Sequence, residues 1–103
     1  MEFYEVSLEL EPQEGSEYYG LCVGVFVYAY VSASSIRGAI SLAESWAQGI
    51  GYSIIDVDHA LRIDLADYEP HDGDYPTRDQ FVLSRQTGET LHGPFLCYES
   101  RES

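Results

Sequence analysis

Two short runs carry side chains of the types that hold metals or move protons. Asp56, Asp58 and His59 stand close together, as do His71, Asp72 and Asp74. Carboxylates and imidazoles at such spacing hold Mg²⁺, Mn²⁺ or Zn²⁺. Alternation along a strand would put Asp56 and Asp58 on one face and His59 on the other, which divides the first set. The second set lacks the glutamate that closes a calcium loop, and Asx-turns account for it. No metal or other cofactor is therefore expected. Nucleophilic catalysis needs a serine or cysteine with a histidine in reach. His59, His71 and His92 are spread along the chain, and no serine sits in a nucleophile elbow. Gly20 and Gly24 flank an apolar Leu-Cys-Val, and the chain has no lysine. That excludes a phosphate-binding P-loop and Schiff-base chemistry. The expectation is a protein that is not an enzyme, although eighteen acids always offer some carboxylate pair for acid–base work.

What the chain does carry is charge. Eighteen acidic residues face five arginines, a formal net charge of −13 in 103 residues. Such a surface repels nucleic acid and anionic membrane and attracts basic protein. Residues 1–36 hold six glutamates and no basic residue; the other twelve acids and all five arginines follow. The acid has two concentrations. One is the first hairpin, with Glu2, Glu5, Glu9, Glu11, Glu14 and Glu17. The other runs over 56–79, with Asp56, Asp58, Asp64, Asp67, Glu69, Asp72, Asp74 and Asp79. Glu5, Glu9 and Glu11 fall on one strand face, at about 7 Å per two residues, close to the phosphate repeat of a nucleic-acid strand. A solvated face that keeps a small protein dispersed would look the same. Nine tyrosines add to the picture, and Tyr18, Tyr19, Tyr68 and Tyr75 sit in or beside turns next to acids. Tyrosine gives contact area at little entropic cost, which suits interface centres. The candidate partner-binding set is therefore Glu9, Glu11, Glu14, Glu17, Tyr18, Tyr19, Asp67, Tyr68, Glu69, Asp72, Asp74 and Tyr75. For Tyr4, Tyr28, Tyr30 and Tyr52, filling the pleat of a strand is the simpler reading. Arg37, Arg62, Arg78 and Arg85 are expected to pair with carboxylates.

The elements that position these residues follow from periodicity. Tyr4, Val6, Leu8 and Leu10 alternate with Glu5, Ser7 and Glu9, the pattern of a half-buried strand. A polar turn with Pro12 and Gly15 follows. Residues 18–31 read as a second strand, apolar on both faces and therefore central. Serines at 32–35 offer N-caps for a helix in which Ile36, Ile40, Ala43, Ala47 and Ile50 recur at helical spacing. Gly49 and Gly51 stop it. A third strand begins at Tyr52, and its extension through Leu61 and Ile63 is left open by the pattern. Residues 64–79 are acidic and irregular. Thr77 caps a short helix that ends at Gly88, and 90–98 is a last strand broken at Gly93 and Pro94. The order β-β-α-β-α-β fits one α+β domain: about four strands, antiparallel or mixed, with the helices on one face. This layout resembles a ferredoxin-like sandwich with a rearranged second half.

Neither a signal peptide nor a run long enough to span a bilayer is visible. Cys22 and Cys97 lie in apolar stretches without partners at metal spacing, so two reduced, buried thiols in a cytoplasmic protein are expected, with a disulfide between neighbouring strands as the alternative. In size, charge and β-α-β layout the chain resembles the small acidic inhibitors of bacteria and phages: immunity proteins, anti-nuclease and anti-CRISPR proteins, some of them nucleic-acid mimics. That resemblance implies stoichiometric occlusion of a basic partner, such as a nuclease, toxin or nucleic-acid-binding effector, without turnover. It implies no direct nucleic-acid or membrane binding. The residues leave a second reading open: a small regulatory or scaffolding domain that forms a homodimer through its sheet, with Leu91, Phe95 and Leu96 at the edge, around a small ligand.

Overall fold

The computed structural model describes residues 2–69 and 75–99. The fold is α+β: an antiparallel sheet of five strands with two helices. In chain order the elements are β1 (Glu2–Pro12), β2 (Gly24–Ala33), α1 (Ile36–Gly49), β3 (Tyr52–Ile63), α2 (Arg78–Thr87), β4 (Leu91–His92) and β5 (Leu96–Tyr98). The strands lie in the order β3-β1-β2-β4, with β5 pairing a second stretch of β2. Both β2 and β3 run antiparallel to β1 and so parallel to each other, with α1 as the crossover between them. The third strand does run on through Ile63.

Alternation in β1 sorts its side chains as its sequence requires. Tyr4, Val6, Leu8 and Leu10 are buried under α1, together with Val25, Val27, Ala29, Val31 and Ala33 of β2. The helix comes close because its inner stripe is Ala39, Ala43 and Ala47, all fully buried. Ser35 caps α1 by accepting the Gly38 N–H at 3.1 Å. Thr77 forms a capping box with Gln80 at the start of α2, and Gly88, left-handed at φ 76°, closes it.

Several expectations are corrected. The helices do not share a face. Phe3, one residue out of phase with the α1 stripe, joins Tyr30, Ile63, Tyr68 and Phe81 in a second core cluster on the opposite side. There α2 inserts Phe81 edge-on to Phe3 and Tyr30. An apolar β2 on both faces is what two covering layers demand. The second strand begins at 24, not at 18. Tyr18 accepts both the Leu21 and Cys22 N–H groups, at 3.0 and 3.2 Å, and Gly20 is left-handed at φ 79°, so this stretch is a turn despite its apolar composition. The last strand is split in two at Gly93 and Pro94, giving five strands where about four were expected. Cys22 and Cys97 are not free thiols. They are joined in a disulfide, with Cα atoms 5.7 Å apart, that ties the turn before β2 to β5. No described helix is long and apolar enough to cross a membrane.

Candidate functional site

The two ends of β1 separate the acids that the sequence grouped. Pro12 pairs with Tyr52 at one end, and Phe3 pairs with Ile63 at the other. Glu11, Glu14 and Glu17 therefore cluster, exposed, at the hairpin pole. Asp67 and Glu69, also exposed, lie beyond the far end of β3. Eleven residues of strand, about 35 Å, lie between them. Asp72 and Asp74, with His71, fall outside the described residues.

Four tyrosines of the candidate set take different places. Tyr19 is 56 % exposed at the hairpin pole. Tyr18 is half-buried against Phe95, ring centroids 5.8 Å apart. Tyr68 is buried in the second core cluster and donates its hydroxyl hydrogen bond to the Pro76 carbonyl at 2.8 Å, so it offers a partner no surface. Tyr75 is half-buried and stands 6.2 Å from the Tyr28 ring.

Between the poles, the sheet face that α2 only partly covers carries a concentration that sequence reasoning did not assemble. Asp56 pairs with Glu9 across the β1–β3 ladder, so it belongs with the first-strand glutamates and not with Asp64 to Glu69. The ladder slips between Ser7 and Leu8: Ser7 faces His59 while Leu8 faces Val57. Asp58 is the extra residue of this bulge, and the slip breaks strict alternation. Asp58 and His59 thus both turn to the face of Ser7, contrary to the expected separation. His59 Nε2 lies 3.5 Å from Glu5 Oε1, and its ring stands 5.7 Å from that of Tyr28. The described residues contain no group of three or more His, Cys, Asp or Glu side chains that could hold a metal.

A cleft of about 200 Å³ opens here, lined by Ser7, Phe26, Tyr28, Asp58, Tyr75 and Leu96, among others. Phe26 and Leu96 are cross-strand partners and are 40 % and 56 % exposed. Beside Phe26, the tilted Tyr98 ring lies 5.3 Å away and donates its hydroxyl hydrogen bond to Glu9 Oε2 at 2.5 Å. Two glycines make room for the flanking rings. A Cβ on Gly24 would meet the Tyr98 hydroxyl at 2.2 Å, and one on Gly93 would meet the Tyr75 ring at 2.6 Å.

Among the described residues the guanidinium groups do little to neutralise these acids. Arg62 approaches Glu2 at 3.9 Å, and both side chains are exposed. Arg78 instead donates to the carbonyls of Ala66 and Tyr68, and Arg85 lies 5.1 Å over the Phe3 ring. The expected charge pairing is thus replaced, for Arg78 and Arg85, by carbonyl and aromatic contacts. The acids do act on the interior: burial first, and the Glu5 carboxylate second, push the Tyr30 and Tyr68 phenols above their ordinary range. Burial and then Glu17 do the same to Tyr52. All three stay protonated at neutral pH. No family model, curated protein or solved structure matches this chain.

Proposed function

We propose that this protein is a non-catalytic inhibitor of the immunity type, which docks a basic protein through its acidic surface and occludes it stoichiometrically. One observation carries the reading: the described arginines do little to neutralise the acids. Arg62 meets Glu2 at an exposed contact, while Arg78 and Arg85 turn to carbonyl and aromatic groups, against a formal charge of −13 for the whole chain. Keeping that much like charge on a small domain disfavours the compact state, and an electrostatically steered association gives a use for it. The partner class is a nuclease, toxin or other nucleic-acid-binding effector, whose own basic groove offers the complementary field. A rearranged ferredoxin-like layout is part of this proposal; the β2-α1-β3 crossover supports it, and α2 on the opposite face is the departure from it. The disulfide favours an oxidising setting over the cytoplasm.

Lysate of the source organism, passed over the immobilised protein at low and at high salt, tests the reading. The expected result is capture of a basic protein at low salt that is released at high salt. The purified partner should then lose its activity at one equivalent of inhibitor. Three charge-reversed variants map the surface by their association rates. The first combines Glu11→Lys, Glu14→Lys and Glu17→Lys; the second, Asp67→Lys and Glu69→Lys; the third, Asp56→Lys and Asp58→Lys. The docking region should lose about tenfold or more in on-rate. Capture that ignores salt, or a partner left fully active at saturation, overturns the proposal.

A further inference from the structure

Within the reading just given, and resting on it, we infer that the cleft between β1, β2 and β5 is an anchor pocket for a single arginine side chain of the basic partner. Size argues first. At about 200 Å³ it falls below the roughly 300–1,000 Å³ of small-molecule sites, and suits one side chain better than a cofactor. Chemistry argues second. Phe26, Tyr28 and Tyr75 supply aromatic surface, and the exposed Asp58 carboxylate stands at the same opening. A guanidinium is planar, weakly hydrated and forked: it stacks on rings while its N–H groups meet a carboxylate. The compact, strongly hydrated ammonium of lysine gains less from such a site.

The surroundings fit this occupant. The exposed cross-strand pair Phe26 and Leu96 gives the cleft an apolar wall beside the carboxylates. Glu9 and Asp56, paired across the ladder, lie on the Phe26 side; Glu5 and His59 lie on the Tyr28 side. An apolar centre with a charged rim is the layout of an interface hot spot. Gly24 and Gly93, each leaving space that a ring fills, seat Tyr98 and Tyr75 at the flanks. Asp58 follows Asp56 onto this face by simple alternation, and the bulge adds His59 beside it.

The experiment needs no partner. Isotope-labelled protein is titrated by NMR with N-acetyl-arginine methylamide, and in parallel with the lysine and the neutral citrulline analogues. The arginine probe should shift the amide resonances of Phe26, Tyr28, Asp58 and Leu96 saturably, in the millimolar range, with lysine weaker and citrulline not saturating. Asp58→Asn and Phe26→Ser, both at exposed positions, should each weaken it about fivefold while leaving the Trp46 indole resonance unmoved. Equal shifts at Glu14, Glu17, Asp67 and Glu69, equal binding of citrulline or lysine, or unchanged affinity in both variants would each overturn the pocket. The two proposals fail separately. Salt-labile capture of a basic partner without probe binding removes the pocket and leaves the docking surface. Saturable probe binding with no basic partner retains the pocket and removes the inhibitor reading.

Discussion

Breaking the Cys22–Cys97 bond should bring this protein close to unfolding. The bond joins positions 75 apart, so reduction frees the unfolded chain from a long closed loop. The loop-closure relation puts the effect at about 4.5 kcal/mol at 25 °C, toward the upper end of the about 2–5 kcal/mol lost when small domains lose a native disulfide. Total stability of small domains is about 5–15 kcal/mol. A molecule already opposed by its own charge has little to spare, so the reduced form should be marginal and rescued in part by salt. Reductant can reach the bond, because Cys97 is exposed and Cys22 half-buried. The local effect should centre on β5. Its pairing of Cys97 with Val25 and Leu96 with Phe26 lies beside the bond, as does the Val23 N–H to Tyr98 carbonyl bond at 2.9 Å. The single tryptophan reports on this region, since Trp46 stacks on His92 and Phe95 at 5.3 and 6.3 Å. Urea denaturation followed by Trp46 fluorescence, with and without reductant and on the Cys22→Ser/Cys97→Ser variant, measures the difference. A loss of about 2–4.5 kcal/mol is expected. Two titratable thiols in the native unreduced protein, or an unchanged urea midpoint once both thiols are freed, would refute the reasoning.

Alkaline stability should fall unusually early. Tyr30, Tyr52 and Tyr68 have phenols raised by burial, so above about pH 10 the unfolded chain releases protons that the fold retains, and stability drops with rising pH by at most about 1.4 kcal/mol per pH unit for each. Absorbance titration of the nine tyrosines, run beside urea midpoints across that window, should show a late-titrating subset that collapses with unfolding; nine ordinary titrations would contradict it. On the other sheet face, Ala43→Leu should cost about 1–3 kcal/mol by lifting α1 from β1 and β2, whereas Leu42→Ala, at an exposed position on the same helix, should cost far less. Thermal melts of the two variants make the comparison, and equal losses would show that α1 does not lie as close as its alanine stripe implies.

Much of the fold was legible because local rules governed it. Two-residue alternation placed Tyr4 to Leu10 under one layer, Ser35 and Thr77 announced helix starts, and Gly93 with Pro94 marked a break that became the gap between β4 and β5. Apolar content at 18–23 says nothing about turn hydrogen bonds, and Gly20 is the one local signal of the turn there. Alternation in β2 was uninformative about layers: a strand apolar on both faces fits a central position under any helix arrangement, and Phe3 was the residue that pointed to a second core. The sequence allows the disulfide but does not favour it, because proximity of positions 22 and 97 depends on β5 pairing with β2. The candidate site was half visible. Glu9 and Tyr75, marked by charge and turn context, flank the cleft, whereas nothing local distinguishes Asp58 and Phe26 from the rest of their strands. Alternation puts Asp58 on the face of Asp56; the arrival of His59 there rests on a ladder slip opposite Ser7, and a slip belongs to two strands at once.

The outer side of β3 has a consequence of its own. This twelve-residue strand ends the β3-β1-β2-β4 path and is paired on its inner side, by β1. Among the described strands none pairs its outer side, and a long flank of that kind invites chains to stack into fibrils. Here the kinks in its register make it a poor template, and Asp56 and Asp58 add repulsion between copies. Near the isoelectric point, about pH 4.2, the net charge that holds copies apart vanishes, and the kinks are left to keep neighbouring molecules from zipping together. Acidic storage is therefore the condition under which this protein is most exposed to self-templated aggregation.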